Sequence, residues 1–248
     1  MRRSLAILGL TALAAYVAMA RLGAQAGTTT PPTAESLVAR NIEARGGAEK
    51  MRSAKTARMT GTVTMPGLPS GVSILIYRKR PNLERQDVAL PGGALIVGFS
   101  GTTAWKIDPT MGSTVAMQIT GAQAAAIEEQ SMFDSPLLDA KARGFTVAYV
   151  GSEMFQGKTV DHLSVTDPKG RVQQCYLDAA TGLESRIITG TGADEIEQQL
   201  SDYRVAGGIK FAFVNRSLQA GRLVATITLT NVDVDVPLDD ALFKMPGK

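Results

Sequence analysis

The chain has a single histidine, so any acid–base chemistry that needs an imidazole must use it. His162 stands in VDHLSVTD, with Asp161 beside it, Ser164 two positions on and Asp167 at the end. A nucleophilic triad would take Ser164 or another serine together with Asp161 or Asp167. On a strand, successive side chains alternate, which turns Asp161 and His162 to opposite faces. His162 and Ser164 do share a face, but no strained nucleophile-elbow motif marks the serine. With one histidine and one cysteine, no zinc or copper spacing can be built. That cysteine, Cys175, alternates with polar neighbours in VQQCYLD and has nothing nearby to lower its pKa, although Arg171 and Gln173 share its face. Asp233, Asp235, Asp239 and Asp240 offer calcium-type oxygens without a glycine-bearing loop. Glu128 and Glu129 fall on a helix and point two ways, and GTGADE, Gly190 to Glu195, lacks the helix that a phosphate-cradling loop needs. We therefore expect no catalytic set, no metal site and no cofactor.

The chain's one tryptophan lies in SGTTAWKIDP, Ser100 to Pro109. The pleat puts Lys106 and Asp108 on one face and Trp105 and Ile107 on the other, so a Trp-Lys-Asp cluster does not form. What remains is apolar surface. Methionines at 59, 65, 111, 117, 132 and 154 are spread over strands and helical cover; their unbranched thioether chains adapt to variable apolar shapes.

The N-terminus reads as an address. Arg2 and Arg3 precede an apolar run from Leu5 to Ala20, and AQA at Ala24–Ala26 supplies a small-x-small cleavage pattern. The run is shorter than the roughly 20 residues of a membrane span. Residues 1–26 are expected to be a signal peptide and 27–33 a flexible lead-in, followed by one β domain over 34–248. The whole chain carries 26 Lys and Arg against 23 Asp and Glu, and removing Arg2, Arg3 and Arg21 leaves 23 of each. The basic surplus thus belongs to the targeting segment, and nothing argues for a nucleic-acid partner. A lone cysteine allows no internal disulfide, and a chain of this length buries enough core without one.

Thr33 caps a first helix that carries Leu37, Val38 and Ile42 on one stripe, and Arg45-Gly46-Gly47 stops it. From Ala57 the period switches to two, and strands follow one another through short turns such as DPKG, AATG and AGG. A helical interlude separates the two runs of strands. Thr120 caps one helix; Ser135, Pro136 and Gly144 mark the start and end of another. The expected fold is mainly β (α+β): a strongly curved antiparallel sheet or incomplete β-barrel of roughly 11–12 strands, with helices covering the concave face.

Several segments, in order, resemble the outer-membrane lipoprotein-sorting family, the LolA/LolB-like periplasmic carriers. They are ARGGAEKMRSAKTARMTGTV, GTTAWKIDP, FDSPLLDAKARGFTVAYVG, YLDAATGLESRI, SDYRVAGGIKFAF and PLDDALFKMP. The resemblance implies an incomplete barrel whose apolar concave face accommodates acyl chains. Under it, Met59, Val63, Trp105, Ile107 and Met117 line the cavity, and Phe133, Leu137 and Leu138 join them from the cover. The chain lacks the cysteine of the lipid-anchored member. Arg58 is the candidate for the arginine that latches the lid in the soluble one. The implied function is a non-catalytic periplasmic carrier or sensor, monomeric, with a lipid or lipoprotein acyl chain as partner. The alternative is a scaffolding module with a filled core that recruits envelope proteins through an edge strand or PLDDALFKMP. A hydrolase-type enzyme is the third reading.

Overall fold

A computed structural model describes residues 31–247 apart from 69 and 113. The expected signal peptide and residues 27–30 of the lead-in lie outside the described residues. From Pro32 onward the chain forms one unit.

Thr33 opens the first helix, α1 (Ala34–Arg45), through a reciprocal cap: its hydroxyl accepts the Ser36 N–H, and the Ser36 hydroxyl accepts the Thr33 N–H. Gly46 ends α1 at a φ of 121°, where a Cβ would lie 2.2 Å from the Gly208 carbonyl oxygen. That close approach sets α1 against the sheet, and a short helix, α2 (Ala48–Ser53), follows.

The first run of strands is β1 (Thr56–Thr64), β2 (Val72–Lys79), β3 (Leu83–Leu90), β4 (Gly93–Ser100), β5 (Ala104–Ile107) and β6 (Met117–Ile119). The second is β7 (Thr146–Phe155), β8 (Lys158–Thr166), β9 (Val172–Asp178), β10 (Glu184–Thr189), β11 (Ile196–Ala206), β12 (Ile209–Gln219) and β13 (Arg222–Val234). These make one open sheet of thirteen strands, one or two more than the sequence suggested, in the order β6-β5-β4-β3-β2-β1-β13-β12-β11-β10-β9-β8-β7. Neighbours are antiparallel throughout, and the first and last strands close the two meanders at the centre: Met59 faces Val232 on one side and Ile76 on the other.

This order forces the cover. β6 and β7 are consecutive in the chain but occupy opposite edges, so the residues between them must cross a face of the sheet. The crossing carries α3 (Gly121–Gln130), whose Ala124 and Ile127 pack on Phe99, Ala104 and Ile119 of one edge. Toward the other edge, Lys169 donates to Glu128 at 2.7 Å and Arg171 Nη1 to the Ala125 carbonyl at 3.2 Å.

Residues 136–144 are a run of turns, which corrects the second expected helix. Asp139 sits at a φ of 52°, where Arg52 grips its carboxylate with two hydrogen bonds, and Arg143 takes the carbonyls of Ser135 and Leu138. The break has a packing reason. Leu137 enters a cluster with Leu37, Leu163 and Leu177, whereas its neighbour Leu138 enters another with Met51 and Ile209. The turns deliver these two adjacent side chains to separate clusters. Among the described residues, no helix is long and apolar enough to cross a membrane.

Candidate functional site

Cross-strand partners share a face, so the register fixes which side chains look toward the cover. Starting from Met59, the covered face runs through Ile76, Gln86, Val97 and Lys106 to Met117 in one direction. In the other it runs through Ile227 and Asn215 to Gln198, Ile187, Cys175 and Leu163. Between this face, α3 and the segment after it lies a cavity of about 360 Å³, inside the range of about 300–1,000 Å³ usual for small-ligand sites. Both Gln86 of β3 and Val165 of β8 line it. Laid flat at about 4.8 Å per strand, the eight steps between those strands would span roughly 38 Å. The sheet therefore curls, with the cavity in its concave side.

The cavity has two halves. Met59, Ile76, Phe211, Phe213, Ile227 and Leu229 make an apolar floor at the centre of the sheet, and Met132 and Phe133 lie over it. Toward β9–β12 the floor gains Gln173, Thr189, Gln198 and Asn215 among Ile187, Ile196 and Leu200. Charged groups line the wall, mostly as ion pairs. Arg45 Nη1 lies 3.1 Å from Glu184, Arg78 Nη2 lies 2.8 Å from Glu84, and Arg171 Nε lies 2.6 Å from Asp167. Asp134 is paired with Arg80. Arg78 Nη2 also donates to the carbonyl of Gln130, the last residue of α3, at 3.2 Å. Three buried atoms of lining residues have no hydrogen-bond partner among the described residues: Arg45 Nε, Arg78 Nε and Asn215 Oδ1.

Burial acts to lower the Arg45 pKa, but Glu184 and Tyr203 beside it outweigh that and hold the guanidinium above its ordinary value. Burial and the Glu184 charge push the Cys175 thiol and the Tyr203 phenol well above theirs. Cys175 is a packed thiol, and Tyr203 holds β11 to β10 by donating to the Glu184 carbonyl at 2.9 Å.

Of the eight residues expected to line the cavity, Met59 and Phe133 do so. Val63 is on the right face but is buried in the cluster beside the cavity, with Ile74, Phe213 and Leu229. Met117 shares that face on edge strand β6 and is exposed. Leu137 and Leu138 fill the seams between cover and sheet. Trp105 and Ile107 are on the other face, since Lys106 between them is the residue paired with Val97 and Met117. Trp105 is wholly buried there against the C-terminal turn Asp240–Phe243. Its indole N–H donates to the Phe243 carbonyl at 2.9 Å, and its ring lies over Gly98, where a Cβ would sit 2.3 Å from the indole. The segment PLDDALFKMP is thus docked on its own sheet. Trp105 fluorescence should accordingly be blue-shifted, resistant to acrylamide quenching and unmoved by ligand in the cavity. An emission shift on adding an apolar ligand would contradict this placement.

The missed lining residues carried a partial signal. Phe211 with Phe213, and Ile227 with Leu229, alternate at period two, but the pattern does not say which face meets the cover. Arg58, the latch candidate, pairs with Asp233 at 2.8 Å on the far face. Arg78 is the residue that contacts the end of α3. His162 is stacked on Tyr176 at 4.2 Å and shares a 2.7 Å hydrogen bond with Gln174.

Neither a protein-family model nor a curated protein matches the chain. Solved structures do. A DUF1329 family protein from Desulfovibrio piger superposes with a TM-score of 0.56 at 17% identity, over 85% of this chain and 97% of that one. A LolA superfamily protein from Nitrosomonas europaea gives 0.56 at 10% identity, over 86% and 98%. The fold is LolA-like. A third structure, a Vibrio parahaemolyticus domain named for outer-membrane lipoprotein sorting, gives 0.54 at 10% identity, over 85% and 95%. At these identities the likeness establishes the LolA-like architecture, an open curved sheet with helical cover, and extends no further.

Proposed function

We propose that the protein is a non-catalytic carrier or sensor of the periplasm, released by cleavage of residues 1–26, that holds a lipid, a lipoprotein acyl chain or another amphiphile in its cavity. The observation that carries this reading is the division of one cavity into an apolar floor and a polar, charged wall. An apolar chain over Met59, Ile76, Phe213 and Leu229 gains about 25 cal/mol for each Å² removed from water, while a polar head finds the amides of β9–β12. The LolA-like fold supports the reading, as does the neighbour named for lipoprotein sorting. The interaction-module alternative loses its C-terminal candidate, which is held on Trp105.

Native mass spectrometry of protein purified from periplasm is expected to show a bound amphiphile, and a fluorescent fatty acid should bind at one site. Ile187→Trp, which fills the β10 side of the floor, should weaken that binding by about tenfold or more (about 1.4 kcal/mol) at an unchanged melting temperature. If nothing copurifies and no fatty acid binds, the carrier reading is wrong.

A further inference from the structure

The charges around the cavity do not cancel. Each arginine of the lining is matched by an acid, and Asp134, Asp167 and Glu184 are the acids of such pairs. Glu129 of α3 also lines the cavity, half-buried, and its carboxylate makes no hydrogen bond or ion pair among the described residues, although Arg171 is near enough to lower its pKa. Its neighbour Glu128 is already paired, with Lys169 at 2.7 Å and with Arg171 at 3.5 Å. The unpartnered Nε–H groups of Arg45 and Arg78 are hydrogen-bond donors, but the charge of each guanidinium is already answered by its acid. Counting the lining residues together with their ion-pair partners leaves one carboxylate over, Glu129, in a cavity that also holds the neutral amides of Gln173, Gln198 and Asn215.

We infer that the cavity selects amphiphiles whose head carries a cationic amine, and that Glu129 is the specificity-determining residue that pairs with it. This rests on the reading of the cavity as an amphiphile site. Two further features agree with it. Burial and the nearby Asp167 raise the Glu129 pKa while Arg171 lowers it, with a net rise, so a cation brought to Glu129 restores the stabilisation that burial removes. The amides accept the remaining ammonium hydrogens without adding charge.

The test compares decylammonium, decanoate and decanol as displacers of the neutral probe N-phenyl-1-naphthylamine at pH 7.5, below their micelle concentrations. The native protein should prefer decylammonium over decanoate by about tenfold or more, the range of one desolvated charge pair. Glu129→Gln should bring the three ligands within about threefold of one another. Glu129→Asp should keep part of the preference, and Glu43→Gln, an exposed acid of α1 outside the lining, should keep all of it. Equal affinities in the native protein, a preference for decanoate, or a preference that survives in Glu129→Gln would overturn the inference and leave the cavity reading standing. If none of the three displaces the probe, or the probe does not bind, both fall together.

Discussion

Trp105→Ala is expected to lower the unfolding free energy by about 3–5 kcal/mol, the range for removing a fully buried large aromatic side chain. Three elements meet on this ring. Gly98 of β4 leaves room for it, Arg85 of β3 lies 6.0 Å from its centroid, and the turn Asp240–Phe243 covers it. Its N–H holds the Phe243 carbonyl. Alanine would leave a cavity beneath Phe243, remove that hydrogen bond and loosen the C-terminal turn. Trp105→Phe should cost less, because it refills part of the volume and loses the donor only. Gly98→Ala should be strongly destabilising for the converse reason: its Cβ has nowhere to go. Urea unfolding followed by circular dichroism is the measurement, since the fluorophore itself is removed. The site lies on the far face, so amphiphile affinity at low denaturant should be unchanged in Trp105→Phe. A loss below about 1 kcal/mol in Trp105→Ala, typical of a surface substitution, would contradict the packing described.

Arg80→Ala is expected to cost about 2–4 kcal/mol, because three acceptors lose their donor at once. Arg80 Nε donates to the Ala54 carbonyl at 2.7 Å and Nη2 to the Met51 carbonyl at 2.6 Å, which neutralises the C-terminal end of α2. Nη1 binds Asp134, and the guanidinium lies over the Phe133 ring at 5.1 Å. One side chain thus ties α2 and the β2–β3 turn to the crossing segment that roofs the cavity. Arg80→Lys keeps the charge but cannot span three acceptors in one plane, so it should recover less than half of the loss. The kinetic consequence separates this from a general loss of stability. Freed from Arg80, Phe133 should let a bound fatty acid leave faster, while Trp105→Phe, of smaller stability cost, should leave the off-rate alone. Unchanged stability and off-rate in Arg80→Ala would show that the crossing segment is held by its leucines instead.

The local elements were written in the sequence because their causes are local. Thr33 after two prolines caps a helix, and the alternation from Ala57 makes a strand whatever lies on either side of it. Short glycine-bearing turns at Gly170, Gly182 and Gly208 leave no choice but antiparallel neighbours. The separation of Trp105 from Lys106 and Asp108 followed from the pleat alone. Ser135, Pro136 and Gly144 misled for the same reason that they were legible: they are local signals, and two leucines bound for different clusters overruled them.

The site was legible only in outline, as apolar surface on a curved sheet under a cover. Which face is inward was decided in three dimensions. β5 is apolar on one side, yet that side meets the C-terminal turn, a segment more than 130 residues later in the chain; nothing within the strand announces such a partner. The neutralised arginines and the unpaired Glu129 likewise depend on pairings between distant residues. Period, caps and turn chemistry belong to the sequence because they act between near neighbours, whereas the inward face and the charge left over in the cavity arise only when the two meanders close between β1 and β13.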